Sequence, residues 1–141
     1  MARFTPEVEK LAQGVLTKMR TQFPNAIQMV YDNYNFLVIG FSPTERPSEA
    51  IFSIAMSPRR VSLCFLQAGP KLSDPGRLLR GSGKQVRHIR LENAAVLDQP
   101  SVKALMSQAL QLAAVPFSSA TTGRLVIRSV SAKQRPRRPK T

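Results

Sequence analysis

His88 and Cys64 are the one histidine and the one cysteine of this 141-residue chain, and the natural candidates for base and nucleophile. A Cys–His pair does nucleophilic chemistry when the imidazole takes the thiol proton. Cys64 stands among apolar residues of a strand-like run, where free cysteine serves as core filler. His88 as a general base is therefore the enzyme alternative, beside a structural or hydrogen-bonding role. No hydrolytic or redox activity is expected from either residue. Two nitrogen or sulfur ligands are too few for a zinc site. The eight acids are scattered along the chain, against carboxylate metal sites and glycosidase pairs. No cofactor is expected.

A second chemistry is anion binding. In Gly81-Ser82-Gly83-Lys84 two glycines stand beside a lysine. Backbone N–H groups approach a phosphate closely where no Cβ intrudes. The tetrapeptide is not a Walker loop, because Leu78 stands where the first glycine belongs and Gln85 follows Lys84. A plain turn suits it equally. Lys71, Arg77, Arg80, Lys84, Arg87, His88 and Arg90 surround it, with Asp74 the only acid among them. Arginine offers a fixed fork of donors for phosphate or carboxylate oxygens. The candidate site is Lys71, Arg77, Arg80, Gly81, Gly83, Lys84, Arg87, His88 and Arg90; an ordinary solvated basic face is the other reading. On a strand over 86–91, His88 and Arg90 share one face and Arg87 the other. Tyr31, Tyr34 and Phe36 could stack bases or sit in the core.

Charge balance supports the anion reading. The chain carries 21 Lys+Arg against 8 Asp+Glu, net +13. Residues 1–58 hold five of each sign; residues 59–141 hold sixteen basic side chains and three acids, Asp74, Glu92 and Asp98. Such asymmetry points to an anionic partner, nucleic acid or a phosphorylated ligand. The tail from Lys133 to Lys140 adds five cations among prolines; it suits a nucleic-acid arm or a solubilising terminus. Hydrophobic residues make up 43% of the chain, enough for a globular core. The longest apolar run, 36–41, is far short of a membrane span, so no membrane partner is expected. The opening MARFTPEVEK has acids and a proline where a secretory signal needs an apolar stretch, and a cytoplasmic location is expected.

The elements that must position these residues read as follows. Thr5-Pro6-Glu7 opens a helix with a capping hydroxyl, a first-position proline and an acid. Val8, Leu11, Ala12, Val15, Met19 and Phe23 give it one apolar face. Gly14 within it predicts a close neighbour. Runs 26–31, 36–41, 50–56 and 61–66 read as strands of an antiparallel meander, with a turn at 33–35. The Gly/Pro-rich stretch 68–84 is a loop with a short helix at 75–80 capped by Asp74. Run 86–91 is a further strand. A helix from Pro100 to about Ala114 follows, then a flexible connection at 118–123 and a late strand over 124–131. Leu11, Val15, Met19, Leu105 and Leu110 should be nearly inaccessible. The fold is a single compact α+β domain over 5–131, an antiparallel sheet with helices packed on one face; 132–141 is a basic disordered tail.

The stretch VSLCFLQAGPKLSDPGRLLRGSGKQVRHIRL, residues 61–91, resembles the YdhG-like family of bacterial domains (family eighteen-oh-one of the domain-of-unknown-function series). The signature falls on Gly69, Leu72, Asp74, Pro75, Leu78, Leu79, Gly81, Gly83, Lys84, Arg87, His88 and Leu91, and the likeness covers roughly 5–135. Arg80 departs from it, standing where the family pattern has an acid. The resemblance implies a compact α+β domain related to the frataxin-like and YjbR-like group, and implies no reaction. The acidic ridge through which frataxin-like proteins bind iron is missing here, so iron is not carried over; the nucleic-acid reading of YjbR-like domains agrees better with the net charge. The function expected is a non-catalytic anion- or nucleic-acid-binding module using the basic Gly-rich loop. The alternative is a small-molecule-binding or protein-interaction domain, with an enzyme using His88 behind both.

Overall fold

The first helix, α1 (Pro6–Gln22), is fixed at its start by Thr5, whose hydroxyl accepts from the Val8 amide at 3.2 Å. Pro6 needs no partner for a missing N–H there, and Glu7 and Glu9 favour the positive end of the helix dipole. The computed structural model describes residues 5–32, 36–118 and 123–130. The turn expected at 33–35, most of the connection at 118–123 and the tail at 132–141 lie outside the described residues.

Five strands follow one another as an antiparallel meander: β1 (Ile27–Asp32), β2 (Leu37–Ser42), β3 (Phe52–Ser57), β4 (Arg60–Phe65) and β5 (Arg87–Leu91). The sixth, β6 (Arg124–Val130), pairs with β1 in parallel, giving the order β5-β4-β3-β2-β1-β6. The fold is α+β in one domain, with a mostly antiparallel sheet and this one parallel pair. Helix α2 (Pro100–Leu112) lies between β5 and β6 in the chain.

Cross-strand partners share a face, so the register reads out two surfaces. One carries the rows Phe41–Phe52–Phe65, Ile39–Ile54–Leu63–Ile89 and Leu37–Met56–Val61–Leu91. Both helices pack there, through Val8, Ala12, Val15 and Met19 of α1 and Val102, Leu105 and Met106 of α2. Phe52 anchors an aromatic stack with Phe23 at 5.4 Å and Phe65 at 5.7 Å. Full burial of one such ring stabilises the fold by about 1.5–3 kcal/mol. Val15, Met19 and Leu105 are buried as expected, whereas Leu11 and Leu110 are half-buried at the rim of their helical stripes.

Two short 3-10 helices, Pro47–Glu49 and Ala94–Asp98, were not expected. The second explains Gly14: a Cβ there would come within 3.3 Å of the Ala94 Cβ. At the same junction the exposed Lys18 ammonium donates to Asp98 at 2.6 Å.

A candidate anion-binding groove at the edge strand

The basic residues are placed by the loop between β4 and β5, and it folds by capturing its own backbone. The 3-10 turn Gly69–Lys71 follows Ala68, which takes a left-handed φ of 54°. The Gly69 amide donates to the Gln85 carbonyl at 2.7 Å, and a Cβ at Gly69 would lie 2.6 Å from that oxygen. Only glycine lets the two ends of the loop meet this closely. Gln108 of α2 clasps Ser73, accepting from its amide and donating to its carbonyl.

Asp74 then replaces the expected helix at 75–80. Its carboxylate accepts from the Leu78 and Leu79 amides at 2.9 and 2.8 Å. Arg77 sits at φ 54°, in the left-handed region, which stops any helix at that point. The chain beyond runs back beside β5: Arg80 and His88 exchange both backbone bonds, at 2.8 and 3.0 Å. Gly81, at φ 111°, makes the exit.

Register now determines which side chains meet. On the face away from the helices run the rows Arg80–His88–Cys64–Ser53, Arg90–Ser62–Ala55 and Arg60–Ser57. A groove of about 480 Å³ opens there, lined by Arg60, Ser62, Arg77, Leu78, Arg80, His88, Ile89, Arg90 and Glu92. It holds four arginines against one carboxylate. All four are exposed, and among the described residues none of their guanidinium groups has an ion-pair or hydrogen-bond partner.

The structure divides the basic cluster read from sequence. Arg77, Arg80, His88 and Arg90 share this groove. Lys71 and Lys84 line a separate depression of about 370 Å³ with Gln67, Gln85 and Leu112. Arg87 lies on the helix-side row with Phe65, and its guanidinium donates to the Gly83 and Val86 carbonyls. It braces the glycine turn, and what Gly83 offers in that contact is its carbonyl. Arg60 joins the site although it lies outside the stretch that drew attention. Its signal was the tight connection Ser57-Pro58-Arg59-Arg60, which becomes informative only once the β4–β5 register is known.

The enzyme alternative meets a specific geometry. Cys64 and His88 are direct cross-strand partners. Yet the thiol is hydrogen-bonded with Ser53, and among the described residues the imidazole has no hydroxyl or thiol partner. Burial pushes the Cys64 thiol above its ordinary value, with the Ser53 bond pulling partly back. The thiol is thus protonated at neutral pH, the opposite of an activated nucleophile. Among the described residues no three His, Cys, Asp or Glu side chains gather as metal ligands, and no helix is long and apolar enough to cross a membrane.

No family model matches the chain, and neither does any curated protein or solved structure.

Proposed function

We propose that this protein is a non-catalytic anion-binding module whose partner is a nucleic acid, held by its phosphates in the groove of Arg60, Arg77, Arg80 and Arg90. The observation that carries the reading is the convergence of four exposed, unpaired guanidinium groups on one surface with Glu92 as the only acid. Among the described residues outside the groove, Arg20 pairs with Gln28, Arg46 with Glu49, Arg124 with Glu45 and Arg87 with backbone, and Arg59, beside Arg60, adds a further exposed cation. Unpaired forks aimed at solvent favour phosphate oxygens. Neither long helix is free to act as a recognition helix, since each buries its apolar stripe on the sheet, so phosphates dominate binding and base sequence does not. The YdhG-like resemblance belongs to the same proposal: Asp74, Gly81 and His88, three of its signature positions, fold the loop that holds Arg80 beside β5.

Titration of a labelled oligonucleotide at several salt concentrations tests it. Four neutralised phosphates give a slope of log affinity against log salt of about −3 to −4. Arg80→Glu with Arg90→Glu should lower affinity at least about ten-fold for every sequence and flatten the slope. The rival source of charge is the tail, so a full-length chain with Lys133, Arg135, Arg137, Arg138 and Lys140 replaced by serine is measured beside it. Binding lost in the tail variant and kept in the double mutant would overturn the assignment, as would no binding by the unmodified chain at about 50 mM salt.

A further inference from the structure

We infer that the nucleic acid bound here is single-stranded, with its phosphates in the arginine groove and its bases lying across the helix-free face of the sheet onto Phe36 and Tyr31; this deepens the phosphate reading above and rests on it. The face has two unlike ends joined by a low floor. One row runs Tyr31–Val38–Ala55–Ser62–Arg90. A neighbouring row ends Ser57–Arg60, and Phe36 precedes β2 on the side of Val38, opposite Leu37. Between the aromatic end and the basic end these two rows carry only Val38, Ala55, Ser62 and Ser57, of which Ser62 is buried and the other three half-buried. Strands are about 4.8 Å apart, so Phe36 lies about 10 Å from Arg60 along the sheet and Tyr31 about 19 Å from Arg90. That is the reach of a few nucleotides.

Charge complementarity settles the occupant. A partner protein segment would need acids for the arginine end and an aromatic-binding group spaced to match. A polynucleotide supplies both from one repeating unit, an anionic phosphate and a flat base. Phe36 is 46% exposed, which leaves its ring available for stacking, and Tyr31 is half-buried beside Met29 and Ile27. Stacking on such rings tolerates any base, because every base has a π-face. A duplex keeps its base faces inside its own stack and can use only the arginine end.

The test uses the full chain and three fluorescent probes of about ten residues: oligo(dT), an abasic strand of equal length, and a duplex. Oligo(dT) should bind about ten-fold or more tightly than the abasic strand. Phe36→Ala should remove about ten-fold from oligo(dT) affinity and leave the abasic strand unchanged, while Phe36→Trp restores it. Phe36 is exposed, so the fold survives the change, which circular dichroism checks. Equal binding of oligo(dT) and the abasic strand, with Arg80→Glu/Arg90→Glu still abolishing both, would overturn the stacking face and leave the groove standing. Tighter binding of the duplex would also overturn it. If no probe binds, the groove itself is wrong and this inference falls with it.

Discussion

The same five meander strands present two surfaces built on opposite terms. On the helix side every row from β2 to β4 is apolar and large, with Phe52, Ile54, Met56 and Leu63 fully buried. On the other side the same strands carry Ser57, Ala55, Ser62 and Cys64, with Arg60, His88 and Arg90 toward one edge. Alternation with a period of two makes both possible from one sequence. The difference teaches that the covered face is chosen for volume, because helices must fit it. The other face is chosen for small side chains and charge: Ser53 and Ser62 are buried in it, Ile27 and Met29 form a second apolar cluster with Ala50, and the arginines toward the edge are the part exposed to a partner.

The contrast can be broken by substitution. The largest effect belongs to the covered face: Phe52→Ala should cost about 3–5 kcal/mol in urea denaturation. Ser57→Ala, at the other end of the same strand and on the opposite face, should stay within about 0.5 kcal/mol; a cost comparable to that of Phe52→Ala would mean the faces do not differ in this way. Asp74→Ala is intermediate and sharpens the comparison, because Asp74 stabilises the loop that carries Arg77 and Arg80. Losing its two amide partners should cost about 1–2 kcal/mol, and nucleic-acid affinity should fall with it although Asp74 is itself an acid. A gain in affinity, as simple charge removal would give, would show that the loop's shape does not matter.

The smallest effect lies at the Lys18–Asp98 contact. The hydrogen bond from Lys18 holds the Asp98 carboxyl below its usual range, against a smaller opposing effect of burial and with help from the Lys18 and Lys103 charges. A carboxyl whose pKa is lowered by folding stabilises the fold above its unfolded value, about 3.9, and loses that contribution as pH falls further. Asp98→Asn should therefore flatten the acid limb of the stability curve slightly and leave the midpoint at neutral pH almost unchanged, since the pair is exposed and screened. A large shift at neutral pH would show the contact to be a structural tie.

Much of this was legible in the residues. Thr5-Pro6 capping, the stripe of α1, the meander and the neighbour of Gly14 all follow from local rules that the packed structure obeys. Leu11 and Leu110 differ because a stripe has a centre and a rim, and spacing alone does not separate them. The loop was less legible. Pro75 and Asp74 resemble a helix start, but one carboxylate taking two amides, with Arg77 left-handed, closes a turn instead. The site was half legible: clustering found Arg77, Arg80, His88 and Arg90, while Arg60 arrives through strand register, a long-range property. Arg87 was in the cluster and belongs to the scaffold, because alternation sends it to the Phe65 side.

The parallel pairing of β6 with β1 carries a consequence for the order of assembly. Each hairpin of the meander closes over a short or moderate stretch of chain, whereas Ile27 meets Arg124 only after most of the sequence has been laid down. Contacts between distant positions form late, because the entropy of closing the intervening chain must be overcome first. β6 should therefore dock onto a meander that is already folded, and its amides should acquire protection from solvent exchange after those of β2, β3 and β4. During synthesis the arginine groove, whose lining runs only from Arg60 to Glu92, would be complete before the last strand leaves the ribosome.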